Sequence, residues 1–116
     1  MAMWKKKNVQ GGVIAGKLFF TSGTAAYPEK PGDTETQIRQ TMENLKKSLE
    51  NAGTSMENVV KGTVFLQDLN DRERYLNKIW AEYFPENRPA RTCIGGVDIG
   101  IYSVEIELVA VIPEKK

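Results

Sequence analysis

The run from Tyr102 to Ile112 constrains the fold more than any other stretch of the chain. Val104, Ile106, Leu108, Ala110 and Ile112 alternate with Glu105, Glu107, Val109 and Val111. In a strand, alternate residues share a face, so one face is wholly apolar and the other is polar at one end and apolar at the other. The apolar face must be sealed by helices. Two helical segments can be read elsewhere in the chain, enough to cover that face only. The half-apolar second face needs another cover, and association of subunits supplies it most economically.

A chain of 116 residues, 41% hydrophobic and 27% charged, is a single domain over residues 1–116 that can fold without a disulfide or a metal. Its net charge of +1 offers no general field for nucleic acid or acidic membranes. Met1-Ala2-Met3-Trp4 followed by Lys5-Lys6-Lys7 lacks the apolar stretch of a signal peptide, and no run approaches the roughly 20 apolar residues of a membrane span. A cytoplasmic location is the expectation. A single Cys permits no internal disulfide, which fits a reducing compartment. The absence of His excludes Ser-His-Asp and Cys-His nucleophiles and any His/Cys zinc site, so no metal is expected. Acid-base work at neutral pH falls to a carboxyl, Tyr, Lys or the lone thiol.

The first third predicts a hairpin or meander, with strands at Asn8–Gln10, Val13–Ala15 and Leu18–Thr21 separated by Gly11-Gly12 and Gly16-Lys17. No helix follows these glycines, which makes them turn residues rather than a dinucleotide fingerprint. Thr34-Glu35-Thr36-Gln37 has the spacing of a capping box. It opens a helix whose Ile38, Met42, Leu45, Leu49 and Ala52 form one packed stripe, stopped by Gly53. Val59 to Leu66 reads as an interior strand. Asn70 with Glu73 predicts the cap of a second helix, carried by Tyr75, Leu76, Ile79, Trp80 and Tyr83 to Phe84 and stopped by Pro85. The spacing of Trp80 from Leu76 and Tyr83 predicts a packing role. Strands at Ala90–Val97 and Tyr102–Ile112 close the chain.

The chemistry concentrates in these last two runs. Arg91 and Cys93 share a face of one, and Glu105 and Glu107 share a face of the other. Were the two runs to pair, a cation and a carboxylate would face each other. The planar fork of Arg91 suits a substrate carboxylate, and a neighbouring Glu can act as acid or base. Spacing alone does not separate that site from a structural Arg-Glu pair, nor Glu105 from Glu107. A lone Cys in a strand is ordinarily a small buried hydrophobe.

Pro89-Ala90-Arg91-Thr92-Cys93, followed by Val104-Glu105-Ile106-Glu107-Leu108-Val109-Ala110-Val111, resembles the signature of the YjgF/Rid family of reactive-intermediate deaminases. Phe20 to Gly23, Gln37 to Gly53, Val60 to Asp71 and Trp80 to Phe84 extend the resemblance over nearly the whole chain. It implies a chorismate-mutase-like α+β subunit, a mixed sheet with two helices on one face, assembled as a homotrimer with clefts between subunits. It implies hydrolysis of enamines and imines such as 2-aminoacrylate to 2-keto acids and ammonia, with no cofactor. Arg91 would bind the substrate carboxylate and Glu105 would position or activate water. Ser22 would line the cleft, with Cys93 beside Arg91 and not obligatory.

Two places depart from the family pattern. A Tyr common in deaminating members is replaced by Asn8, and Val97 to Ser103 lacks the usual Leu-Pro and is shorter. Both border the expected cleft and leave the substrate open. A non-catalytic trimer that binds small carboxylates or 2-keto acids through Arg91 and Glu105 is a second reading. A ribonuclease, as older family descriptions have it, would need a basic stripe or stacking platform, and only Lys5 to Lys7 are clustered. Nucleic acid is not the expected partner.

Overall fold

The computed structural model describes residues 5–27 and 31–114. Met1 to Trp4, Pro28 to Lys30 and the tail residues Lys115 and Lys116 lie outside them. The chain forms β1 (Lys6–Val9), β2 (Gly12–Ala15), β3 (Leu18–Thr21), α1 (Thr34–Asn51), a 3-10 turn (Met56–Asn58) and β4 (Val59–Leu66). A π-helical turn (Arg72–Leu76), α2 (Asn77–Tyr83), β5 (Ala90–Ile94) and β6 (Val104–Val111) follow. The six strands make one mixed sheet in the order β1-β2-β3-β6-β4-β5, with β4 and β5 parallel and the other pairs antiparallel.

This order corrects one expectation. β5 and β6 do not pair, because β4 lies between them. A helix joins β4 to β5, and a helical crossover returns the chain parallel to the strand it left, placing β5 at the sheet edge. β6 then enters antiparallel on the other side of β4, opposite Phe65 at Glu105 and opposite Val64 at Ile106. β4 is interior, as its composition predicts.

The alternation of β6 sets the layers. Val104, Ile106, Leu108 and Ala110 are buried with Val64 and Leu66 of β4 and Phe19 of β3, under Ile38, Met42, Leu45 and Leu49 of α1 and Ile79 and Trp80 of α2. Both helices pack on this face. The other face carries Leu18, Phe20 and Val111, each more than a third exposed. A bulge at Val60, between the pairs Val59–Ala110 and Lys61–Val109, leaves a further apolar side chain 48% exposed.

Two helix starts differ from the expected ones. Asp33, not Thr34, caps α1, its carboxylate accepting from the Thr36 N–H at 2.8 Å. Gln37 is thereby freed from the capping box. Its side chain donates to the Gly32 carbonyl and accepts from the Ser103 N–H, tying α1 to the entry of β6. The second helix does not begin at an Asn70 cap. Asp68 accepts from the Asn70 N–H, and the π-helical turn follows before α2 proper. Gly53 does follow α1 with φ of +91°, the left-handed conformation that suits glycine.

Candidate functional site

Arg91 sits on the edge strand β5 beside Gly62 of β4, on the helix-covered face. A Cβ at Gly62 would lie 2.5 Å from the tip of the Trp80 indole, so the glycine leaves room for the ring to slide under the sheet. There the ring becomes a floor for Arg91, whose guanidinium carbon is 5.4 Å from an indole ring centroid. One guanidinium nitrogen donates to Oδ1 of Asn77 at 2.8 Å. The buttresses are therefore an amide oxygen and an aromatic face, both neutral. No carboxylate reaches Arg91 within ion-pair distance among the described residues.

Burial is the main cause that lowers the Arg91 pKa, the charge of Arg72 lowers it too, and the Cys93 thiolate would raise it. The guanidinium stays charged at any physiological pH. Cys93, two residues along the same face, has its pKa raised by burial, against a pull downward from Arg91 and Arg72. A thiol held in its neutral form is a poor nucleophile, in keeping with a lining role.

Glu105 occupies the opposite face. Its neighbours Val104 and Ile106 are buried under the helices, so its own side chain points to the uncovered side. There it lies against Gly23, where a Cβ would come within 2.5 Å of the carboxylate. Paired hydrogen bonds of 2.9 Å between Thr24 and Ile106 hold this crossing of the chain in place. Ser22, exposed beside Gly23, donates its N–H to the Gly11 carbonyl at 2.8 Å. Glu107 shares the face and is exposed, opposite Thr63.

The expected residues fall into two groups. Arg91 and Cys93 form one on the helix side of β5; Glu105 and Ser22 form the other on the open side of β6. The structural Arg-Glu pair left open by spacing is not formed. Asn8 belongs to neither group. It lies opposite Val13 on β1, with two strands between it and β6, a separation of about 14 Å at the usual strand spacing. Two grooves of the subunit, of about 420 and 410 Å³, lie against α1 and include none of Arg91, Cys93, Ser22 and Glu105.

Sequence reasoning missed Asn77, the hydrogen-bond partner of Arg91. Asn77 carries no motif; its one signal is position, at the start of the helix that crosses from β4 to the strand holding Arg91.

The sequence matches the Endoribonuclease L-PSP family over residues 5–112. It is 41% identical over 87 residues to a RutC family protein of Pyrococcus horikoshii, covering 71% of this chain and 68% of the relative. A RutC family protein of Synechocystis is 38% identical over 109 residues, covering 87% of this chain and 83% of the relative. A Rid family protein of Yersinia pestis shares the fold with a TM-score of 0.82 at 27% identity, covering 90% of this chain and 87% of the other. With a match over nearly every described strand and helix, the chain belongs to the Endoribonuclease L-PSP family, the YjgF/RutC group to which Rid proteins also belong.

Proposed function

We propose that this protein hydrolyses small reactive imines and their enamine tautomers, of the 2-aminoacrylate type, to 2-keto acids and ammonia. The reaction takes place in a cleft between subunits of a homotrimer. The observation that carries this reading is the state of Arg91: charged, braced by Asn77 and Trp80, and in no ion pair among the described residues. A guanidinium so held is an anchor for a carboxylate brought by a ligand.

Arg91 holds the carboxylate of the 2-imino acid. Glu105 orients a water molecule and accepts its proton as the oxygen bonds to the imine carbon, while the carbon-nitrogen π pair moves to nitrogen, which takes a proton from solvent. In the resulting aminoalcohol Glu105 returns its proton to the nitrogen; the carbon-nitrogen bond breaks as the hydroxyl gives its proton to solvent and becomes the carbonyl, and ammonia leaves a 2-keto acid. Holding the imine beside an oriented water asks for positioning and one acid-base group. Within one chain Arg91 and Glu105 stand on opposite faces of the sheet, so in this reading they meet across a contact between copies. The exposed Leu18, Phe20 and Val111 give the open face a reason to make that contact.

Generating 2-aminoacrylate with a serine dehydratase and following keto acid release tests the proposal. Acceleration over buffer that disappears in Arg91→Ala is expected; no acceleration by the wild type overturns it. A non-catalytic binder of 2-keto acids is the second reading, favoured by the fact that the Arg91 anchor is complete in one subunit while Glu105 is remote. Saturable 2-keto acid binding without turnover would select it. The family's endoribonuclease label fits this chain poorly, since it has no His and a net charge of only +1.

A further inference from the structure

Arg91 is not the only guanidinium at its corner of the fold. The turn that precedes Arg72 is docked on the end of β5, where a Cβ at Gly95 would lie 2.3 Å from the Leu69 Cβ. Arg72 opens the π-helical turn, its N–H donating to the Leu69 carbonyl at 3.0 Å and its carbonyl accepting from the N–H of Asn77. Asn77 is the residue that holds Arg91. One turn of chain thus carries both the brace of Arg91 and a second cation, and the charge of Arg72 is felt at both Arg91 and Cys93.

The contrast with Arg74 is informative. Arg74, two residues on, reaches Asp68 at 3.4 Å and Asp71 at 3.5 Å, so its charge is answered locally. Arg72 and Arg91 take part in no ion pair among the described residues. Two like charges around one half-buried thiol repel, and an anion between or beside them relieves that repulsion.

We propose that Arg72 is a second anion-binding group of the Arg91 site, so that the site prefers a 2-imino or 2-oxo acid bearing a second carboxylate over a monocarboxylate. This rests on the reading of Arg91 as a carboxylate anchor. It names the substrate class as the imines of acidic amino acids, with the distal carboxylate at Arg72. The reaction supplying such a substrate is either a two-electron oxidation of the amine of an acidic amino acid to the imine, with a nicotinamide, flavin or dioxygen acceptor on another enzyme, or loss of water from the α and β carbons of a β-hydroxy acidic amino acid.

Calorimetric titration at low ionic strength with 2-oxobutanoate, 2-oxoglutarate and 2-oxoadipate tests the proposal on the intact protein. At least one diacid is expected to bind about tenfold more tightly than the monoacid, the effect of one charge-assisted pair. That ratio should fall to about one in Arg72→Gln and recover in part in Arg72→Lys, since a point charge replaces a fork. A wild-type ratio near one, with monoacid binding that is lost in Arg91→Gln, overturns the role of Arg72 and leaves the anchor standing. A ratio unchanged in Arg72→Gln overturns it as well. Binding of none of these acids, or binding indifferent to Arg91→Gln, overturns the anchor itself and this inference with it.

Discussion

Arg39 and Arg91 show two treatments of the same side chain within one small fold. Arg39, on α1, donates to both oxygens of Glu82 on α2, at 2.8 and 3.2 Å, and reaches Glu35 at 3.4 Å. Its pKa is raised, first of all by the bond to Glu82. Arg91 has an amide oxygen and an indole face in place of carboxylates, and burial lowers its pKa. A charge satisfied by the fold fastens two helices together. A charge positioned by neutral groups keeps its capacity to bind an anion.

Mutation should separate the two regions widely. Arg91→Ala is expected to lower kcat/KM for imine hydrolysis by about a thousandfold, since both the charge and the orientation of the substrate go with it. Arg91→Lys should recover only part of the loss, because a point charge cannot reproduce the fork. Steady-state kinetics on 2-aminoacrylate checks both, and equal rates for wild type and Arg91→Ala would remove the distinction drawn here. Glu105→Gln should reduce kcat by roughly a hundredfold with a smaller change in KM, as expected for a lost acid-base group.

Gly62→Ala probes how the anchor is seated. The added methyl meets the Trp80 ring at 2.5 Å, deep between sheet and helix. Overpacking there should cost about 1–3 kcal/mol in thermal or urea unfolding, and the displaced floor should raise KM through Arg91. An unchanged KM would show that the indole does not position the guanidinium. At the small end, Arg39→Gln removes an exposed helix-to-helix pair and should leave kcat/KM unchanged while shifting the melting temperature only slightly. A loss of activity there as large as at Arg91 would erase the contrast.

The sequence carried these two regions unequally. The alternation of Val104 to Ile112 made the layers legible, with helices on one face and an unfinished surface on the other, because burial acts on every second residue of a strand. The stripe from Ile38 to Leu49 announced α1 for the same reason at helical spacing. Neighbour relations between strands are another matter. The order β6-β4-β5 depends on the crossover through α2 and not on any property of β5 itself, so two adjacent runs looked like partners when they are separated by β4. That error hid the fact that Arg91 and Glu105 face opposite ways.

Caps were legible in kind but not in position. Asp33 and Thr34 are both good caps one residue apart, and the pairing of Gln37 with Ser103, distant in sequence, decided between them. Asn77 was invisible as the brace of Arg91 because that contact comes from which strand the π-helical turn leans on. The resemblance carried by Pro89 to Cys93 and Val104 to Val111 selected Glu105, a choice that spacing alone did not make.

The central claim is that Arg91 and Glu105 act together although one chain holds them apart. It is tested most directly by mixing Arg91→Ala and Glu105→Ala subunits, each inactive alone, through unfolding and joint refolding, and assaying 2-aminoacrylate hydrolysis. With sites shared between copies, random assembly at equal amounts pairs an intact Arg91 with an intact Glu105 at about a quarter of the sites, so about a quarter of wild-type activity should return. Mixed oligomers that form and remain inactive would contradict the account.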